Sequence, residues 1–409
     1  MTEPPIAAER FVVATSYFPP IVGGTSTVLR VLLGAFEPAS FAVVAEEPAS
    51  IGGTHGDDVP TDMHVERLGV PGWLRYVPLL NRSFQTKRYA LAEQVKDRIV
   101  AQIKRLDAQR IIAIYPSWPF MIGAYLAHLE TGLPLVTYYM DTTLDDARLG
   151  ANYVNALHQY EAAILQAATA RLVLVPTIAE DLQSRYGVDC QVISHAIEPS
   201  PDHACSPLPK LPFDPATQPM LVHTGVVEYL QCQGLMRLVK AIDRLPELGI
   251  QLVLSTPTPA FEIAHWDLKR PWIHVMQVSR PEVRALQRHA TLAIAALPFD
   301  DGNTLQKTSY PTKVVEYMDS GAPVLALAPL DGFFGRHVTE HGYACLVDTD
   351  DPEVLAGIIT ELLTDSARRE ALVACGRRTV QSEFTLPAVA GRFIAAAGIA
   401  PTALRPDYR

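Results

Sequence analysis

Short, continuous apolar runs alternate along this chain with stretches whose apolar residues recur at helical spacing. Phe11 to Thr15, Arg110 to Tyr115, Leu133 to Tyr139, Leu172 to Val175 and Cys190 to Ser194 read as buried strands of a first half. Runs at Met220–His223, Gln251–Ser255, Trp272–Met276, Leu292–Leu297 and Val324–Ala328 read the same way in a second half. Helical patterns lie between them: Val28, Leu29, Leu32, Leu33 and Phe36; Pro119 to Leu129; Thr177, as a cap, to about Tyr186; Leu235–Leu245; Glu282–His289; Thr312–Met318. Strands apolar throughout, separated by helices, belong to parallel sheets covered on both faces and joined by right-handed crossovers. The pattern therefore predicts an α/β protein with two doubly wound, Rossmann-like domains.

Prolines without periodicity separate the halves: Pro199, Pro201, Pro207, Pro209, Pro212 and Pro215. Such a stretch reads as a linker. The expected division is 1–195, a linker over 196–219, a second domain over 220–384, and a C-terminal helix and tail over 385–409. The length of 409 residues exceeds the usual size of a single core, which agrees with two domains.

The most informative stretch runs from Thr308 to Ala326. Pro311 suits the first turn of a helix, Val314, Val315 and Met318 make one apolar stripe, and Gly321 with Pro323 stops the helix before a buried strand. Lys313 and Glu316 then lie three residues apart on a face the core does not need. Free N–H groups and the positive dipole end favour anions at a helix N-terminus. Thr312 and Lys313 are thus candidates to hold a phosphate, and Glu316 to accept hydrogen bonds from sugar hydroxyls. An ordinary i,i+3 surface ion pair explains the same spacing.

Near the N-terminus, Ser16-Tyr17-Phe18-Pro19-Pro20 leads into Gly23-Gly24-Thr25-Ser26 and then a helical pattern. This turn sits at the carboxyl end of the first strand, where open α/β sheets bind ligands. The paired glycines allow backbone amides to approach an anion, and Thr25 or Ser26 can cap the helix. The turn matches neither a dinucleotide fingerprint nor a P-loop, and on the residues alone a plain tight turn is the commoner explanation. Gly52 to Asp58 reads as a surface loop. Asp141, after the strand ending at Tyr139, is placed either to orient an acceptor hydroxyl and share its proton or to cap a following helix. No metal-ligand spacing is evident around Asp145 and Asp146.

From Pro71 to Arg110, Trp73, Leu74, Tyr76, Leu79, Leu80 and Phe84 interleave with Arg75, Arg82, Lys87, Arg88, Lys96, Arg98, Lys104 and Arg105. Two readings stand: peripheral contact of residues 71–110 with an anionic membrane face, or a core-packed helix with a solvated basic side. A net charge of −10 argues against a general nucleic-acid binder. Five cysteines without a Cys-x-x-Cys pair point to thiols in a reducing cytoplasm. Neither a signal peptide nor a run of eighteen apolar residues is present, so a cytoplasmic protein is expected, with the inner membrane face as its one candidate surface.

The stretch Pro311-x-Lys313-x-x-Glu316-Tyr317-Met318-x-x-Gly321-x-Pro323-Val324 resembles the C-terminal signature of GT-B-fold glycosyltransferases, in particular the retaining family 4 (glycosyl transferases group 1). Tyr17-Phe18-Pro19-Pro20 with Gly23-Gly24 is similar to its N-terminal loop. The resemblance implies two Rossmann-like domains facing across a cleft, with the last helix crossing back to the first. It implies that Glu316 binds the donor ribose, that Gly23 and Gly24 lie beside the donor phosphates and the acceptor, and that Asp141 faces the acceptor. Two departures matter. The family's Arg and Lys that clamp the diphosphate fall on Gly225-Val226 and Gln233-Gly234, after His223-Thr224, and both charges are missing. The first carboxylate of the family's Glu-x7-Glu falls on Thr308, and a common His on Met140.

The expected function is transfer of a sugar, with retention and without a metal, from a nucleoside diphosphate-sugar, UDP being the expected carrier, to a hydroxyl of a saccharide, lipid-linked sugar or small natural product. The candidate residues are Asp141 and Gly24 for catalysis, and Gly23, Gly24, Thr224, Gly225, Gln233, Thr308, Thr312, Lys313 and Glu316 for the donor. No cofactor is expected beyond the donor substrate. The alternative is a GT-B protein that binds a nucleotide-sugar and has lost catalysis; a nucleotide-sugar epimerase of the same architecture is a third reading.

Overall fold

The computed structural model describes residues 9–21, 23–48, 62–69, 81–142, 151–197, 206–227, 229–299 and 307–409, without side chains for 81–88, 90, 151–156 and 229–230. The chain divides into two compact units, Met1–Ala196 with Leu386–Arg409, and Ile197–Thr385.

The first unit holds a seven-stranded sheet: β1 Phe11–Thr15, β2 Phe41–Glu46, β3 Val65–Leu68, β4 Arg110–Tyr115, β5 Leu135–Tyr139, β6 Ala170–Val173 and β7 Gln191–Val192. Every pairing is parallel, in the order β3-β2-β1-β4-β5-β6-β7. The helices are α1 Gly24–Leu33, α2 Asn81–Leu106, α3 Trp118–Thr131, α4 Ala151–Ala167 and α5 Pro176–Tyr186. Val12, Ile111 and Val136 are inaccessible to solvent, as both-face coverage of a parallel sheet requires.

The second unit repeats the plan with β8 Met220–Thr224, β9 Gln251–Ser255, β10 Ile273–Met276, β11 Leu292–Ala296, β12 Val324–Leu327 and β13 Ala344–Val347, all parallel, in the order β10-β9-β8-β11-β12-β13. Its helices are α6 Tyr229–Ile242, α7 Ala260–Ala264, α8 Arg280–His289, α9 Thr312–Ser320, α10 Phe333–His341, α11 Pro352–Thr364 and α12 Ser366–Thr379; a single π-turn, Val380–Phe384, closes it. The last helix, α13 Leu386–Ala397, belongs to the first unit, where Phe393 packs on Phe36 and Tyr138. In each sheet the first strand of the unit lies third and the chain reverses direction beside it, which makes the carboxyl ends of β1/β4 and β8/β11 the topological switch points.

Local starts differ from expectation where backbone chemistry outranks side-chain caps. Helix α5 begins at Pro176 with Val175 as N-cap, so Thr177 lies inside the first turn. Proline supplies the helical φ and loses no needed N–H at that position. Likewise α1 starts at Gly24 with Gly23, in extended backbone, as N-cap; neither Thr25 nor Ser26 caps it. Pro311 is the N-cap of α9 rather than its first residue.

Residues 71–80 and the loop Gly52 to Asp58 lie outside the described residues. From Leu91 onward α2 buries Leu91, Ala92, Val95 and Ile99, while Lys96 pairs with Glu130 at 3.0 Å and Arg98 with Glu66 at 3.0 Å. For this part of 71–110 the core-packed helix with an ion-paired outer side describes the residues. Among the described residues, no helix is long and apolar enough to cross a membrane.

Candidate active site

At the switch point of the second sheet, four elements are knitted together by buried polar side chains. Strand β8 ends in His223-Thr224, both buried, and the chain then turns at Gly225. Gly225 has φ +91, a conformation that a Cβ disfavours, and its N–H donates to the Ser255 carbonyl at 2.9 Å. That amide is thereby committed to β9. Thr224 is also engaged internally. Its N–H donates to the Tyr317 hydroxyl at 2.9 Å, and its Oγ1 lies 3.2 Å from that hydroxyl and accepts from Gln287 Nε2 at 3.2 Å.

Gln287, on α8 and inaccessible to solvent, uses the same amide nitrogen to donate to Glu316 Oε2 at 3.0 Å. The other carboxylate oxygen lies 3.7 Å from Arg284, whose guanidinium also reaches Asp319 at 3.9 Å. Glu316 is therefore aimed by α8 and tied through Thr224 to β8.

Lys313 stands one turn earlier on α9. Its Nζ lies 3.0 Å from His223 Nε2, and His223 Nδ1 lies 3.0 Å from the Ile294 carbonyl. A carbonyl only accepts, so Nδ1 carries the proton and the Nε2 lone pair accepts from the lysine. Burial, reinforced by the Lys313 charge, holds the His223 pKa well below its ordinary value and keeps the ring neutral. Burial also lowers Lys313 to about 7, with Glu316 acting in the opposite direction. Lys313 Nζ sits 3.6 Å from where a Cβ on Gly225 would lie, at the corner after β8. The result is a cation on the N-terminal turn of a helix whose N-cap provides no side-chain oxygen, an arrangement suited to an anion.

The remaining expected residues are more dispersed. Thr312 opens α9, and Thr308 is buried in the turn before it. Gln233 is half-buried on α6 next to Gly234, where an added Cβ would meet Ala296 Cβ at 2.7 Å; the helix needs a glycine to approach β11. Four residues after Gln233, Arg237 lies over the Phe299 ring at 4.1 Å, and burial lowers its pKa against the pull of Asp350. Sequence reasoning missed Arg237, His223, Arg284 and Gln287. Arg284 and Gln287 carry the i,i+3 spacing of α8, but nothing local indicates that they face α9.

In the first unit Gly23 and Gly24 form the start of α1 at the carboxyl end of β1. A Cβ on Gly23 would meet nothing within 4 Å, so the loop leaves open space at that point. Asp141 follows β5, and its Oδ1 accepts from the Thr142 N–H at 2.8 Å. Burial drives its carboxyl up to about 7, with the Thr142 amide pulling the other way. The next described helix begins at Ala151; residues 143–150, where a cap would operate, lie outside the described residues.

Residues 218–365 match the family model of glycosyl transferases group 1. Among solved structures, a sucrose-phosphate synthase from Thermosynechococcus elongatus superposes with a TM-score of 0.66 at 20% identity, covering 94% of this chain and 97% of that one. Anabaena HepE in complex with UDP and glucose gives 0.67 at 13%, covering 96% and 99%. An E. coli trehalose-6-phosphate structure bound with UDP-2-fluoro glucose gives 0.64 at 13%, covering 96% and 100%. No curated protein matches the sequence significantly. At these identities the structural likeness establishes the fold alone, while the family match covers the unit that carries Lys313 and Glu316. The chain has the GT-B fold, and residues 218–365 of its second unit match the glycosyl transferases group 1 family.

Proposed function

We propose that the protein transfers a sugar from UDP-sugar to an acceptor hydroxyl with retention of anomeric configuration and without a metal at the donor phosphates. The observation that carries this is the pairing of Lys313 and Glu316 on one face of α9 beside the β8 corner, each held by buried partners from other elements. Glu316 accepts from the ribose hydroxyls. Lys313 and the first-turn amides of α9 take the diphosphate charge, in place of the missing family clamp. In the reaction the bond from the anomeric carbon to the phosphate oxygen breaks and the acceptor oxygen bonds to that carbon; the diphosphate leaves as the anion Lys313 stabilises. Asp141, held near neutrality by burial, accepts the proton of the acceptor hydroxyl. UDP is chosen because two of the similar structures carry UDP or a UDP-sugar analogue.

A binding protein without turnover is the second reading. It is favoured by the neutral residues at the clamp positions and by the commitment of the Gly225 amide to Ser255. Two measurements separate the readings: a thermal-shift panel of nucleotides and nucleotide-sugars, followed by release of UDP in the presence of saccharide and lipid-linked acceptors. Stabilisation by UDP-sugar with UDP release supports the transferase. Stabilisation without release supports the binding protein, and no stabilisation by any nucleotide overturns the donor site itself.

A further inference from the structure

A second cluster with chemistry of its own lies at the end of the second unit. His337 and His341 stand one turn apart on α10, so their rings project from the same side of the helix. The π-turn Val380–Phe384 brings Glu383 against both: Oε2 lies 3.1 Å from His337 Nε2, and Oε1 lies 3.3 Å from His341 Nε2. One ligand atom from each residue falls within 4.8 Å of the others. We propose that these three side chains bind a divalent transition metal ion of the zinc class, which staples α10 to the turn where the chain leaves the second unit.

Three observations support the assignment. The spacing comes first: bonds of about 2.0–2.1 Å to a tetrahedral ion place neighbouring ligand atoms about 3.3 Å apart, which the two Glu383 contacts already match, with all three ligand atoms within 4.8 Å of one another. The second is the support behind His337. Its Nδ1 lies 2.9 Å from the Tyr343 hydroxyl, which lies 3.0 Å from the Tyr310 hydroxyl. When Nδ1–H donates into this buried hydroxyl chain, Nε2 is left as the ligand, the usual outer-shell arrangement of a metal-bound histidine. Exposure is the third. The His337 side chain is 8% exposed, His341 27% and Glu383 32%, so an ion can enter from solvent and keep a water as its fourth ligand. Two imidazoles with one carboxylate select zinc, cobalt or nickel over magnesium or calcium. Helical π-turns also recur at functional sites. The triad is built from α10 and the π-turn rather than from Lys313 or Glu316, so this inference stands or falls apart from the donor reading.

The same atoms can satisfy one another as hydrogen bonds if Tyr343 donates to Nδ1 and Nε2–H donates to Glu383, and the experiment must separate the two states. Tag-free full-length protein is treated with chelator, then titrated with Zn²⁺ by competition against a chromophoric chelator and with Co²⁺ by visible absorption. The metal site predicts one equivalent bound, a rise in Tm, and an intense four-coordinate cobalt band. Binding should disappear in His341→Ala and Glu383→Gln and weaken by about 10–100-fold in Tyr343→Phe. Affinity should fall with pH, because protons compete for the ring nitrogens. Absence of a cobalt band in the wild-type protein, or equal zinc binding in both variants, overturns the proposal and leaves a hydrogen-bonded triad.

Discussion

The two units put a carboxylate at the same kind of place, beyond the carboxyl end of a parallel strand or on a helix beside it, and surround it in opposite ways. Glu316 is held by a charged and an amide side chain, Arg284 and Gln287, on a neighbouring helix. Among the described residues Asp141 accepts from a backbone donor, the Thr142 N–H, and burial drives its carboxyl up to about 7.

The sharpest way to break this comparison is at Asp141. Asp141→Asn should lower turnover by about 10²-fold or more if the carboxylate handles a proton, with UDP-sugar affinity unchanged in calorimetry. The same variant carries a stability signature. A carboxyl whose native pKa is raised from 3.8 to about 7 binds protons in the native state that the unfolded chain has released; its contribution is present below pH 3.8 and is lost as pH rises through about 7. Asp141→Asn should therefore be more stable than wild type at pH 8, with the difference vanishing at pH 4. Unchanged turnover, or a stability difference of the opposite sign, removes Asp141 from the account.

Next in size is Glu316→Ala, which deletes charge-assisted hydrogen bonds worth about 1.5–3 kcal/mol each, or roughly 10–150-fold in UDP-sugar affinity. Glu316→Gln should lie between the variant and wild type, because it keeps an oxygen for Gln287. Wild-type affinity in Glu316→Ala would sink the donor assignment. Smaller still is Gly225→Ala. The new methyl meets Lys313 only at ordinary contact distance, 3.6 Å, so the cost is the left-handed backbone, about 1–2 kcal/mol, read as a lower denaturation midpoint.

Much of this was legible in the sequence, and the rest failed for identifiable reasons. Strands β1, β4 and β9 are uniform apolar runs and their limits match the expected ones, Phe11–Thr15, Arg110–Tyr115 and Gln251–Ser255. The strands β2, β3 and β13 were passed over: Val65–Leu68 and Ala344–Val347 are four residues long and carry no helical or alternating period to mark them. Lys313 and Glu316 were visible because helix spacing fixes i,i+3 neighbours locally. Their partners were not, because His223 lies 90 positions away from Lys313 and Gln287 lies 29 from Glu316, joined only by the sheet's crossovers. The commitment of the Gly225 amide to Ser255 is a tertiary fact of the same kind, and so is the meeting of His337 and His341 with Glu383.

The central claim is that Lys313, lowered to about 7 by burial beside His223, replaces the missing diphosphate clamp. The most direct test is calorimetric titration of UDP-glucose, whose diphosphate diester does not titrate near neutrality, at pH 6 and pH 8.5 with wild type and Lys313→Met. Because a bound anion favours the protonated amine, wild-type affinity should fall as pH rises above 7, by at most tenfold per pH unit, with proton uptake on binding at pH 8.5. Lys313→Met should bind more weakly at pH 6 and lose the pH dependence. Equal wild-type affinity at both pH values, or an unchanged slope in Lys313→Met, would contradict the account.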